Sequence, residues 1–168
     1  IPAGFSGNPF EQVDTTTDAL ERIVRDDMLS RRLDFDPGTG HGVGSYLSVH
    51  EGPARINKAD RTPLEPGMIL SNEPGYYKTG EYGIRIENLI IVTEPVEIEG
   101  GDHAMMGFET LTLAPIDKRL IDSRLLTRAE LHWLDTYHAR VHAEIGPMVD
   151  AHTRVWLETA TAPFEAQA

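Results

Sequence analysis

Glycine stands at every second position from Gly38 to Gly44, with His41 inside the run and His50 nine residues beyond it. Such a stretch does not sustain a helix, and it lets the backbone come close to a neighbour where any Cβ would collide. The pattern predicts a close approach to an ion or substrate, with two imidazoles beside it. It is not a nucleotide loop. A dinucleotide fingerprint needs G-x-G-x-x-G leading into a helix. Counted from Gly38 the third glycine position holds Val43, and counted from Gly40 it holds Ser45. No Gly-Lys-Ser or Gly-Lys-Thr occurs, which excludes a phosphate loop. Residues 45–50 alternate polar and apolar and predict a strand.

Two carboxylates follow in apolar or turn-forming surroundings. Glu73 lies in Asn72-Glu73-Pro74-Gly75-Tyr76-Tyr77, and Glu87 in Gly83-Ile84-Arg85-Ile86-Glu87-Asn88. The chain has no cysteine, so imidazole and carboxylate are its only strong metal-ligand types. A carboxylate buried on an apolar strand is costly unless it is paired or coordinated. His41, Glu73 and Glu87 are therefore read as ligands of one metal centre, and a carboxylate-rich set without thiolate favours Mn, Co or Zn over copper. Each residue alone also has an ordinary reading. His41 suits a turn, Glu73 a turn acid, and Glu87 an ion pair with Arg85.

The formal charge of -12 opposes phosphate backbones, so no nucleic-acid partner is expected. No apolar run approaches the roughly 18 to 20 residues that cross a bilayer, so no membrane partner is expected either. With 168 residues and 40% hydrophobic composition the chain can bury a sizeable core. The lack of cysteine and of a signal peptide is compatible with a cytoplasmic location. Ile1 and the loop-like residues after it read as the interior of a longer chain, which predicts a fragment.

In order along the chain, residues 1–14 read as loop, and Asp18 with Glu21 opens a helix that ends near 31–33. Residues 51–67 read as a surface connection, and 68–71 as a short buried strand halted by Pro74-Gly75. Residues 83–93 read as one strand with Arg85 and Glu87 on the same face. Another strand covers 108–113, and together these suggest a curved antiparallel sheet. Thr127 and Glu130 form a capping box for a helix whose apolar face is Leu131, Leu134, Tyr137, Val141 and Ile145, ending at Gly146-Pro147. A last helix carries Met148, Val149, Val155 and Trp156. His132, His138, His142 and His152 read as ordinary helix-surface residues, Trp133 and Trp156 as part of a packing or dimer surface. No internal repeat is apparent.

The glycine run with His50-Glu51-Gly52-Pro53, the Asn72 to Tyr77 motif, the Gly83 to Asn88 motif and Gly107-Phe108-Glu109-Thr110-Leu111-Thr112-Leu113 occur in this order. Together they resemble the catalytic half of a cytosolic-type Xaa-Pro aminopeptidase, the aminopeptidase P family, and the helical tail resembles its C-terminal extension. The resemblance implies an α+β, creatinase-like pita-bread fold, a curved antiparallel sheet with flanking helices. Residues 1–115 would be the C-terminal part of the catalytic domain and 116–168 a helical extension for packing or homodimerisation. It implies a dinuclear, usually manganese, centre, with Zn or Co as other metals. His41 and Glu73 would ligate one metal and Glu87 would bridge both. The implied catalytic residues are His50, Glu73 and Arg85, and the implied substrate-binding residues are His41, His50 and Arg85. His50 would meet the scissile carbonyl of a proline-containing peptide.

Two departures stand out. The family also uses two aspartates eleven residues apart, and no such pair occurs in this sequence. It carries a histidine four residues before the ligand histidine, where this chain has Pro37. The chain alone is therefore expected to hold one weak metal site and to be inactive. A non-catalytic relative serving as a dimerisation or peptide-binding module is the second reading.

Overall fold

The computed structural model describes residues 17, 38–44, 46 and 48–164. The opening loop, the helix expected from Asp18, and Pro37 lie outside the described residues. The chain divides into two compact units at Thr112–Leu113.

The first unit is built from short antiparallel strands. These are β1 (Gly40–His41), β2 (Arg55–Ile56), β3 (Ile69–Asn72), β4 (Gly75–Lys78), β5 (Tyr82–Arg85), β6 (Asn88–Val92) and β7 (Phe108–Thr110). They form a β1-β2 pair, a β3-β6-β7 sheet and a β4-β5 pair. Buried and half-buried residues alternate along β6, and its Ile90 stands opposite the buried Leu70 of β3 in register. They make a core with Ala54, Ile56, Leu64 and Val92, against which Met68, Met106 and Phe108 pack. Three of these core residues come from 51–67, so that segment contributes to the interior and is more than a surface connection.

The run 83–93 is two strands and not one. Asn72 pairs with Asn88, and Gly75 pairs with Arg85, leaving Glu73-Pro74 facing Ile86-Glu87 in an unpaired gap. Proline has no N–H to give to a ladder, so pairing fails at Pro74 and the hairpin bends there. Pro74-Gly75 thus redirects the chain into β4 where a strand end was expected. Residues 46 and 48–50 are not in a strand either. The Gly44 N–H donates to the Ser48 carbonyl at 2.8 Å and the Glu51 N–H to the Gly42 carbonyl at 2.9 Å.

In the second unit, α1 (Arg128–Ile145) starts at the expected capping box, with both of its reciprocal hydrogen bonds formed between Thr127 and Glu130. The helix α2 (Ala151–Thr161) is capped by the Asp150 carboxylate. Tyr137, Val141 and Leu157 form the core with Leu113, Ile116, Trp133 and Ile145 around it. The buried residues of α2 are Leu157 and Thr161, four apart on one face, while Val155 and Trp156 are exposed. His138 is fully buried, not a surface residue, and its Nε2 accepts the Ile116 N–H at 3.0 Å. A five-residue repeat is also present. Ile116-Asp117-Lys118-Arg119-Leu120 and Ile121-Asp122-Ser123-Arg124-Leu125 each form one 3-10 turn capped by the aspartate and forked to the arginine.

Candidate metal centre

The glycine run is explained by backbone packed on backbone. A Cβ on Gly40 would overlap the Ser71 carbonyl oxygen, and one on Gly42 would overlap the Glu51 carbonyl oxygen. The close approach expected toward an ion or substrate is therefore made to β3 and to the loop residue Glu51. Its consequence is local. His41 is set beside Ser71 and Glu73, with the Glu73 N–H donating to the Thr39 carbonyl at 2.8 Å.

The His41 N–H donates to Ser71 Oγ at 3.0 Å, and Ser71 Oγ donates to Glu73 Oε1 at 2.9 Å. His41 Nε2 lies 3.1 Å from that same Oε1, and both side chains are largely shielded from solvent. His41 Nδ1 lies 2.9 Å from the Gly42 carbonyl oxygen. Nε2 faces Glu73 and Nδ1 faces the carbonyl, and both oxygens only accept, so a neutral ring with its one N–H leaves a lone pair against one of them. With that N–H on Nδ1, the lone pair points at the carboxylate oxygen. That arrangement calls for a cation between them or for a second proton on the ring. Adjacent ligand atoms on one divalent ion, each about 2.1 Å from it, stand about 3 Å apart. The pair thus fits one side of a metal site.

Arg85 spans the two carboxylates. Its Nη1 lies 3.7 Å from Glu73 Oε2 and its Nε lies 3.5 Å from Glu87 Oε2. Nη1 also donates to the Tyr77 hydroxyl at 3.4 Å. The Tyr77 contact and then Glu73 hold the guanidinium above its ordinary range, desolvation opposes them, and Glu87 adds the least. Arg85 and Glu87 do lie side by side, but Glu87 is 41% exposed, not buried. Among the described residues, no three ligand-type side chains gather around one point closely enough to hold an ion. The structure thus joins His41 to Glu73 and leaves Glu87 across Arg85.

His50 is exposed, and its ring centroid lies 4.2 Å from that of His41 at a tilt of 44°. Ser71 and Tyr77 were not singled out in the sequence. For Ser71 a signal was available, because a hydroxyl two residues before Glu73 on a strand shares its face. For Tyr77 nothing short of the β4–β5 pairing, which sets Gly75 opposite Arg85, reveals the contact.

A family model described as metallopeptidase family M24 matches residues 8–94, and one described as the C-terminal region of peptidase M24 matches residues 104–164. A probable Xaa-Pro aminopeptidase P of Sclerotinia sclerotiorum is 45% identical over 152 residues, covering 87% of this chain and 25% of that protein. Aminopeptidase P1 of Lotus japonicus is 42% identical over 160 residues, covering 94% of this chain and 24% of that protein. The chain thus spans about a quarter of the length of these curated relatives. The X-prolyl aminopeptidase of Caenorhabditis elegans, described as a cytosolic enzyme with a di-nuclear active site, superposes with a TM-score of 0.81 at 35% identity. That match covers 96% of this chain and 27% of the nematode enzyme. With its α+β mixture of helices and antiparallel strands, part of a pita-bread fold, this chain belongs to metallopeptidase family M24.

Proposed function

We propose that this chain is a metal-binding portion of an Xaa-Pro aminopeptidase, whose reaction is hydrolysis of the peptide bond between an N-terminal residue and proline. The observation that carries the reading is the His41 Nε2 to Glu73 Oε1 approach of 3.1 Å, with His41 Nδ1 turned to the Gly42 carbonyl oxygen at 2.9 Å. The names of the fungal, plant and nematode relatives support the substrate class.

In this reading His41, Glu73 and Glu87 would hold the metal. Manganese is the proposed metal, and when bound it lowers the pKa of water and polarises the scissile carbonyl. Glu73 accepts a proton from the attacking water. His50, exposed beside His41, donates to the carbonyl oxygen as negative charge develops on it. Arg85 braces the second oxygen of Glu73 and lines the substrate pocket. The sequence has no aspartate pair eleven residues apart, so the chain by itself has low or no turnover in this reading. A cytoplasmic location is proposed from the description of the nematode enzyme as cytosolic. A homodimer through the helical tail is the proposed assembly.

Calorimetric titration of the chain with Mn2+ tests this. One weak site is expected, lost in both His41→Ala and Glu73→Gln. Two tight sites, or binding indifferent to both substitutions, would overturn it. An Arg-Pro-Pro peptide assay with Mn2+ should show little turnover, and rates normal for such enzymes would refute the ligand count.

A further inference from the structure

We propose that Ser71 is the positioning residue of this centre, its hydroxyl locking the two ligand residues His41 and Glu73 into one unit. The inference rests on the metal-centre reading given above and adds a residue that is neither ligand nor substrate contact.

The hydroxyl group has one proton to give and lone pairs to accept with. One acceptor site of Ser71 Oγ is taken by the His41 N–H at 3.0 Å. Its single proton goes to Glu73 Oε1 at 2.9 Å. The carboxylate oxygen accepts that proton. One atom therefore connects the main chain of one ligand to the side chain of the other.

The connection also assigns the two carboxylate oxygens. Oε1 takes Ser71 and faces His41 Nε2 at 3.1 Å, while Oε2 faces Arg85 Nη1 at 3.7 Å. Without the hydroxyl, Glu73 is free to rotate toward the guanidinium, and the oxygen beside His41 is no longer specified. Ser71 is suited to this task because it cannot itself move. It is fully buried and sits opposite Leu89 in the β3–β6 ladder, and the Glu73 N–H is tied to the Thr39 carbonyl at 2.8 Å. Groups that orient metal ligands in this way commonly change metal affinity about 10- to 100-fold when removed.

The test compares Ser71→Thr with Ser71→Val in the full chain, two side chains of the same shape that differ in the hydroxyl. Any cost of the added methyl group is common to both. Mn2+ affinity is measured by calorimetry, and Co2+ substituted for it gives a visible spectrum that reports ligand geometry. Ser71→Thr should keep the affinity and the Co2+ spectrum, whereas Ser71→Val should lose about tenfold or more in affinity and shift the spectrum. Equal behaviour of the two variants would overturn the proposal. If the unsubstituted chain shows no metal binding that depends on His41, it is the metal-centre reading that fails. Ser71 is then judged by amide hydrogen exchange at His41 without metal. Faster exchange in Ser71→Val than in Ser71→Thr upholds its locking role, and equal exchange refutes it.

Discussion

Glu73 and Glu87 face each other across the unpaired gap between the Asn72–Asn88 pair and the Gly75–Arg85 pair. The gap frees both carboxylates from the alternation of a continuous ladder. It also sets Arg85 between them, at 3.7 Å from one and 3.5 Å from the other. The bend at Pro74 is thus the structural source of the carboxylate pair.

Removing that guanidinium should strengthen cation binding. Arg85 and a divalent ion compete for the same carboxylate charge, and Arg85 is half exposed, so its pairing is worth only that of a surface ion pair. Arg85→Met is expected to tighten Mn2+ binding roughly two- to fivefold. Unchanged or weaker binding in a calorimetric titration would show that Arg85 does not compete with the ion.

The glycine run should be intolerant at Gly40. An alanine there meets the Ser71 carbonyl oxygen, a backbone atom that cannot move without breaking the β3–β6 pairing. Gly40→Ala should destabilise the first unit by about 1 to 3 kcal/mol and weaken metal binding with it. Urea denaturation monitored by circular dichroism reads the first effect, and a midpoint equal to the parent's would contradict the packing described.

The second unit should lose stability in mild acid through His138. Burial pushes its pKa down, Lys118 adds to this and Asp135 opposes it, while the Ile116 N–H, which donates to Nε2, also favours the neutral ring because a proton there would remove its acceptor. The unfolded chain then takes up a proton below about pH 6.5 that the folded chain refuses. Stability is therefore complete above that pH and falls as pH drops toward the folded value. The Asp117 and Asp122 carboxylates, held at about 2 by Arg119 and Arg124, act only at much lower pH. Thermal melts at pH 7.5 and 5.5 should differ for the parent and differ less for His138→Gln, which keeps an acceptor for Ile116. An identical pH response in both proteins would remove His138 as the cause.

Adjacent residues of α2 should respond very differently to truncation. Leu157 is 2% exposed in the helical core, and Leu157→Ala is expected to cost about 2 to 5 kcal/mol. Trp156 is 57% exposed, and Trp156→Ala should change the stability of the monomer by less than about 0.5 kcal/mol. Comparable losses measured by denaturant unfolding would mean that α2 packs on another face.

The elements that the sequence made legible are those set by local chemistry. Thr127 and Glu130 announce the start of α1 because a capping box satisfies helix-end donors within one turn. Leu70 and Ile90 announce strands through β-branched and aliphatic character. The motifs around His41, Glu73 and Glu87 were visible as unusual residues in glycine-rich or apolar settings, and they carried the family. What was not legible depends on partners distant in the chain. The long strand expected over 83–93 is broken because residue 74, on the opposite strand, has no N–H to offer. Val155 and Trp156 look as apolar as Leu157, and only the packing of α2 against Tyr137 and Val141 decides which face is covered.

By itself, then, the sequence determined the donor chemistry of the site, its thiolate-free ligand types and the family that the chain belongs to, since these follow from residue identity and short-range order. Tertiary structure alone decided that the glycines serve Ser71 and Glu51 backbone contacts, that His41 meets Glu73 while Arg85 intervenes before Glu87, and that a buried serine ties the first two together. The reason is physical. A side chain's type is written at its own position, whereas a 3 Å contact is set by strand register and bend, which are properties of two segments at once.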